Sequence, residues 1–61
     1  MATLTSKELS IIEDQLTLEQ SLICKFKHYA QTSGDSVIKN KCDEMVKRHQ
    51  THFNTLVGLL G

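Results

Sequence analysis

The sequence predicts an all-α protein, a two-helix antiparallel hairpin, and three observations support this fold class. The 61 residues contain no proline. Gly34 is the only glycine before position 58, and it lies in a short polar cluster at 33–36, near the middle of the chain. On both sides of that cluster, apolar side chains recur at spacings of three and four, which is the period of an amphipathic helix. We therefore expect one helical hairpin domain over residues 1–61.

A capping box marks the start of the first helix. Thr5 and Glu8 have the T-x-x-E spacing, in which the threonine hydroxyl accepts a hydrogen bond from the third helical amide and the glutamate accepts one from the cap amide. Leu4 and Leu9 stand where a hydrophobic staple would close around this box. The first helix should therefore begin at Ser6.

The polar cluster should end one helix and begin the next. Ser33 is the expected C-cap, and Gly34 is the expected left-handed residue that ends the helix. Asp35 or Ser36 then caps the second helix. These signals predict three segments: a first helix over about 6–32, a turn at 33–35 and a second helix over about 36–57.

Each helix carries a continuous seam at heptad a and d positions. The seam of the first helix consists of Leu9, Ile12, Leu16, Glu19, Ile23, Phe26 and Ala30. The seam of the second helix consists of Ile38, Cys42, Met45, His49, His52, Leu56 and Leu59. Apolar neighbours widen both seams, so one hairpin cannot cover its own core. We expect a homodimer in which two hairpins form a four-helix bundle about a two-fold axis.

Composition excludes several classes of function. The formal net charge is zero, so no basic face predicts nucleic-acid binding. No apolar run approaches the ~20 residues that cross a bilayer, and the N-terminus has no signal-peptide core, so we expect no membrane contact and a reducing compartment. The chain has no nucleophile triad, glycine-rich phosphate loop or H-E-x-x-H motif, and it is too small for its own substrate pocket. We therefore expect no enzyme activity.

Three seam positions are not apolar, namely Glu19, His49 and His52. In a hairpin that turns at Gly34, Glu19 lies level with His49, and Leu16 lies level with His52. The three polar residues should therefore cluster near the middle of the bundle, and a two-fold partner would bring a second set to the same level.

Such a cluster has a known chemical use. Di-metal carboxylate bundles take a Glu from each of two helices and a Glu-x-x-His pair from each of two others. His49 and His52 have this spacing, with histidine where the glutamate would stand. Imidazole-rich sites favour a divalent transition metal, such as zinc or iron, over calcium or magnesium. Without a metal, Glu19 could instead pair with protonated His49 as a polar layer that fixes helix register. The residues leave both interpretations open.

The two cysteines differ in position. Cys42 lies in the seam and should be buried, whereas Cys24 lies outside it and should be exposed. Cys24 and His28 are four residues apart on the outer face of the first helix, but no third ligand accompanies them. The sequence does not assign a role to Cys24.

Three stretches carry a resemblance to a known family. They are LTSKEL at 4–9, KFKHYA at 25–30 and HQTHFNTL at 49–56. On the basis of these stretches, nearly the whole chain resembles the small CotF-type spore coat proteins of endospore-forming Firmicutes. Phe53 departs from the tyrosine that is usual in that family.

The resemblance implies a fold and a role. It implies half of a ferritin-like bundle and a structural protein of the spore coat, made in the cytoplasm of the mother cell and associated with other coat proteins. The alternative is a metal-binding ferritin-like dimer, because the implied kinship agrees with ligands at Glu19, His49 and His52.

Overall fold

A computed structural model of the chain describes residues 3–61 and shows two α-helices packed against each other. Helix α1 covers Ser6–Thr32, and helix α2 covers Ser36–Gly58. The described residues contain no strand. The predicted all-α hairpin is confirmed, and α2 extends one residue beyond its expected end. The hairpin is elongated, with dimensions of 46 × 16 × 11 Å.

The expected capping box starts α1. The amide of Glu8 donates to Thr5 Oγ1, and the amide of Thr5 donates to Glu8 Oε1, both at 3.0 Å. Hydrogen bonds that the carboxylate of Glu8 accepts from the Thr5 backbone amide and from the Thr5 side chain hold the pKa of Glu8 below its ordinary value. Two otherwise free amides at the helix start are thereby paired.

The prediction of a left-handed Gly34 is wrong. Ser33 is the C-cap of α1, with φ −70° and ψ 133°, and its amide donates to the carbonyl of Tyr29. Among the described residues, only Gly61 has a positive φ. The chain therefore leaves α1 through an extended serine, because the Ser33 hydroxyl accepts a hydrogen bond from the Asp35 amide and stabilises the turn locally.

Asp35, not Ser36, caps α2. Its Oδ1 accepts from the amide of Val37 at 2.8 Å and from that of Ile38 at 3.2 Å. A short acidic side chain suits this position because it pairs with the free amides and with the positive end of the helix dipole.

The core of a single hairpin is thin. Its buried apolar side chains are Ile12, Ile23, Ala30 and Cys42, all at predicted seam positions. None of the described side chains is completely buried. Three apolar residues of the predicted seams, Leu9, Ile38 and Leu59, are exposed because two helices cover each other only along one side.

The exposed surface is large for the mass of the chain. Its area is 4635 Å², whereas a compact monomer of this mass exposes about 4,000 Å². Several large leucine, isoleucine and valine side chains are among the residues that face solvent. Within residues 3–61, neither helix combines the length and apolar character needed to cross a membrane.

Candidate metal centre

The three polar seam residues meet midway along the hairpin. Nδ1 of His49 lies 2.6 Å from Oε2 of Glu19, and Nδ1 of His52 lies 3.6 Å from Oε1 of the same carboxylate. One potential ligand atom from each residue lies within 4.8 Å of the others. The structure therefore brings all three sequence-predicted site residues together.

Helix periodicity explains why these residues converge. Glu19 occupies a seam position of α1 between the buried residues Ile12 and Ile23. His49 and His52 are three residues apart on α2, so both imidazoles lie on one face, one turn apart. The turn between the helices sets which residues of α1 and α2 lie at the same height, and it places Glu19 level with His49.

The cluster is closed on one side and open on the other. The side chain of Glu19 is 7% exposed and that of His49 is 13% exposed, whereas that of His52 is 51% exposed. Solvent therefore reaches the cluster mainly from the side of His52.

Two further side chains support the cluster; Phe26 belongs to the predicted seam, but the sequence predicts neither its contact with His49 nor that of Gln15 with Glu19. Gln15 donates from Nε2 to Glu19 Oε1 at 3.3 Å. The Phe26 ring lies nearly parallel to the His49 ring, with centroids 5.9 Å apart. The spacing of four residues between Gln15 and Glu19 was a usable signal, because such pairs are neighbours on a helix surface. No sequence signal pointed to the stacking of Phe26 on His49.

The environment of Glu19 favours its charged form. Burial alone raises the pKa of this carboxyl. The hydrogen bond with His49, the hydrogen bond from Gln15 and the charges of the two imidazoles lower the pKa by more, so it lies below the ordinary value of 4.5. Because the ionised carboxylate only accepts hydrogen bonds, Nδ1 of His49 must carry the proton in this contact.

This arrangement supports two kinds of chemistry. If His49 is neutral, its Nε2 lone pair is free to bind a metal while Glu19 holds the other ring nitrogen, which is a common way to orient a histidine ligand. Alternatively, Glu19 itself can be a ligand after giving up that hydrogen bond. If His49 is protonated, the pair is an ion pair within a polar layer.

One hairpin supplies an incomplete ligand set. Its three ligands leave at least one position to fill, because zinc sites in proteins are almost always four-coordinate. A water molecule or a residue of a second chain must supply the remainder. The ligand set of two imidazoles and one carboxylate suits zinc, copper, nickel or iron better than calcium or magnesium.

The cysteines lie outside this cluster. Cys24 is exposed and Cys42 is buried, as the seam predicts. Among the described residues, the metal-ligating group contains only Glu19, His49 and His52.

Comparisons of the chain with protein-family models, with curated proteins and with solved structures find no match. The likeness to CotF-type coat proteins therefore rests on the three sequence stretches at 4–9, 25–30 and 49–56.

Proposed function

We propose that this chain forms a homodimeric helical bundle that binds a divalent transition metal through Glu19, His49 and His52. The observation that carries the proposal is the convergence of three ligand atoms, from two helices, within 4.8 Å. Zinc and iron are the ions that we expect, because both accept mixed imidazole and carboxylate ligands.

The charge of the cluster supports the proposal. The pKa of Glu19 is lowered, so the site offers a carboxylate rather than a carboxylic acid at neutral pH. In a single hairpin the side chain of His52 is half-exposed, so an ion can reach the ligands from that side before a second copy packs on it.

Metal binding by untagged protein tests the first proposal. We expect zinc titrated into metal-free protein to bind in proportion to the chain concentration, as measured by calorimetry and elemental analysis. His52→Leu should weaken binding by at least about tenfold, since a ligand is lost. His28→Leu is the matched control, because His28 is exposed and outside the cluster. Equal affinities for the parent and His52→Leu would contradict the proposal.

The thin core supports the homodimer. A hairpin with four buried apolar side chains leaves much of its apolar surface in water, and a second copy is the simplest cover. Light scattering at micromolar concentration should report about twice the chain mass of 6.9 kDa. A cooperative, folded monomer at that concentration would exclude the dimer.

A structural role in the spore coat is the second candidate function. The sequence resemblance supports it, and so do the exposed apolar side chains, which suit assembly with other coat proteins. In that role the Glu19–His49 contact fixes helix register, and the protein is made in the mother cell before it joins the coat. Immunodetection in coat fractions of sporulating cells tests this role. Neither candidate function calls for catalysis.

A further inference from the structure

A row of apolar side chains runs along α1 beside the core seam. Four apolar residues of α1 are separated by seven, four and seven positions, so their side chains lie on one stripe of the helix surface. They are Ile11, Leu18, Leu22 and Tyr29. Ile11 is 59% exposed, Leu18 is 56% exposed and Tyr29 is 47% exposed, while Leu22 is half-buried. These four residues are called the α1 row below.

The α1 row lies on the open side of the Glu/His cluster. Gln15 belongs to the same stripe of α1, and its amide donates to Oε1 of Glu19. The half-exposed His52 approaches that same oxygen, whereas the nearly buried His49 binds the other oxygen, Oε2. The exposed side of the cluster and the α1 row therefore face the same direction.

The opposite side of the hairpin carries none of the exposed large apolar side chains of the α1 row, and the apolar residues that line it, Ile23, Ala30, Val46 and Phe53, are buried or half-buried. Two open grooves of about 430 and 480 Å³ lie there. Their polar lining residues are Gln20, Cys24, Gln50, Lys27, Gln31, Asp43 and Lys47. A partner that excludes water would gain more on the α1 row, because apolar burial is the larger source of association free energy.

The α1 row is centred at the level of the cluster. Ile11 and Tyr29 are equidistant from position 20, and so are Leu18 and Leu22, which places the centre next to Glu19. If a second copy packs about a two-fold axis at this centre, its α1 row lies against the α1 row of the first copy. Its Glu/His cluster then lies at the same level as the cluster of the first copy.

Charge along the stripe agrees with such pairing. Lys25 lies in the stripe and Asp14 lies beside it, at nearly equal distances from position 20 on opposite sides. Two-fold pairing about that position therefore brings opposite charges together and keeps like charges apart.

We infer that a second copy of this chain packs on the α1 row and covers the exposed side of the cluster at His52. The inference deepens the proposed homodimer and rests on it. The broad face of the hairpin measures 46 by 16 Å, which is close to the ~800 Å² that a standard interface buries on each partner. The two clusters then share one water-poor layer, with two carboxylates and four imidazoles, so each site gains the ligands that a single hairpin lacks.

Two variants with the same added charge test the position of the interface. Leu18→Glu places a carboxylate in the α1 row, whereas Ser21→Glu places one on the outer, exposed face of the same helix. We expect Leu18→Glu to weaken dimerisation at least about a hundredfold, because two unpaired charges would be buried together, and Ser21→Glu to leave it unchanged. Sedimentation equilibrium measures both dissociation constants. Equal dissociation constants would overturn the inference.

Histidine modification tests the covering of His52 and does not depend on metal or on the variants folding. Metal-free parent protein is treated with diethyl pyrocarbonate, and modification at His28 and His52 is followed by peptide mass spectrometry. In the dimer we expect the exposed His28 to react at least about tenfold faster than His52, and the difference to shrink when the protein is diluted to monomer. Equal rates in the dimer would overturn the inference even if zinc binds. Failure of zinc to bind, with His52 still protected, would overturn the metal proposal alone.

Discussion

His49 is joined to Glu19 across the hairpin by a 2.6 Å contact between Nδ1 and Oε2, which links residues thirty positions apart. Among the described residues, it is the only side-chain hydrogen bond between α1 and α2. A slip of one helix along the other by a single residue is about 1.5 Å and would break it. The contact therefore fixes the register of two helices whose apolar packing is thin.

Acid should weaken this contact, and Glu19→Gln should reduce the effect. The pKa of Glu19 is lower in the folded chain than its ordinary value of 4.5. A carboxyl shifted in this direction stabilises the fold fully above its unfolded pKa, and the stabilisation is lost as the pH falls through the folded pKa. We expect the melting temperature of the parent to drop below about pH 4.5, and that of Glu19→Gln to drop less.

A neighbouring acid provides the control for that experiment. Glu13 is exposed, so Glu13→Gln removes one charge from the same helix and leaves the cluster intact. It should keep the acid sensitivity of the parent, as measured by circular dichroism melts between pH 3 and 7. If Glu19→Gln loses as much stability in acid as the parent, the contact is not the source of the pH dependence.

Zinc should stabilise the folded protein at neutral pH and much less at pH 5. Binding requires neutral imidazoles, so protons compete with the metal as the pH falls. When free zinc is a hundred times its dissociation constant, the gain in unfolding free energy is about 2.7 kcal/mol. His52→Leu should abolish the gain and remain folded, since leucine suits a seam position, whereas His28→Leu should melt as the parent does. If both Glu19→Leu and His52→Leu respond to zinc as the parent does, the cluster is not the zinc site and its role is structural.

The two cysteines should differ sharply in reactivity. Cys24 is exposed and should react with a maleimide in the folded protein. Cys42 is buried and should react only as fast as the hairpin opens. Mass spectrometry of protein labelled for short times, with unfolded protein in urea as the reference, measures both rates. Similar native rates at the two thiols would show that the packing of α2 against α1 does not bury Cys42.

Gly34→Ala should stabilise the protein by about 0.4–1 kcal/mol. Gly34 does not have a positive φ, and a Cβ atom added to it would meet nothing within 4 Å. Alanine would therefore restrict the unfolded chain without straining the turn. Urea unfolding of the parent and of Gly34→Ala compares the two free energies. A loss of about 1 kcal/mol would instead indicate a left-handed residue at this position.

The features that the sequence predicted correctly depend on local chemistry or on helical period. The Thr5–Glu8 capping box is set by a four-residue pattern, and the hairpin follows from one polar cluster between two seams. The level of Glu19 and His49 follows from the position of the turn, since helix rise is constant. These features need no knowledge of how individual side chains pack.

The remaining features depend on competition between alternatives of similar free energy. Glycine permits a left-handed turn at position 34, but the hydroxyl of Ser33 stabilises an extended exit from α1. Gln15 and Phe26 reach the cluster through side-chain conformations that a periodic pattern does not specify. The heptad pattern also does not predict the half-exposure of His52, because it assigns every a and d position to the buried face.

The short turn at 33–35 also has a consequence for the order of folding. Each contact between the helices closes a loop that passes through this turn, and the loops grow steadily longer toward the chain ends. The entropic cost of closure rises with loop length, so helix pairing should begin beside the turn and proceed outward. Contacts made mostly by antiparallel neighbours favour rapid, zipper-like folding. Amide hydrogen exchange should accordingly be slowest between the turn and the Glu19–His49 level, and fastest near Leu4 and Leu60.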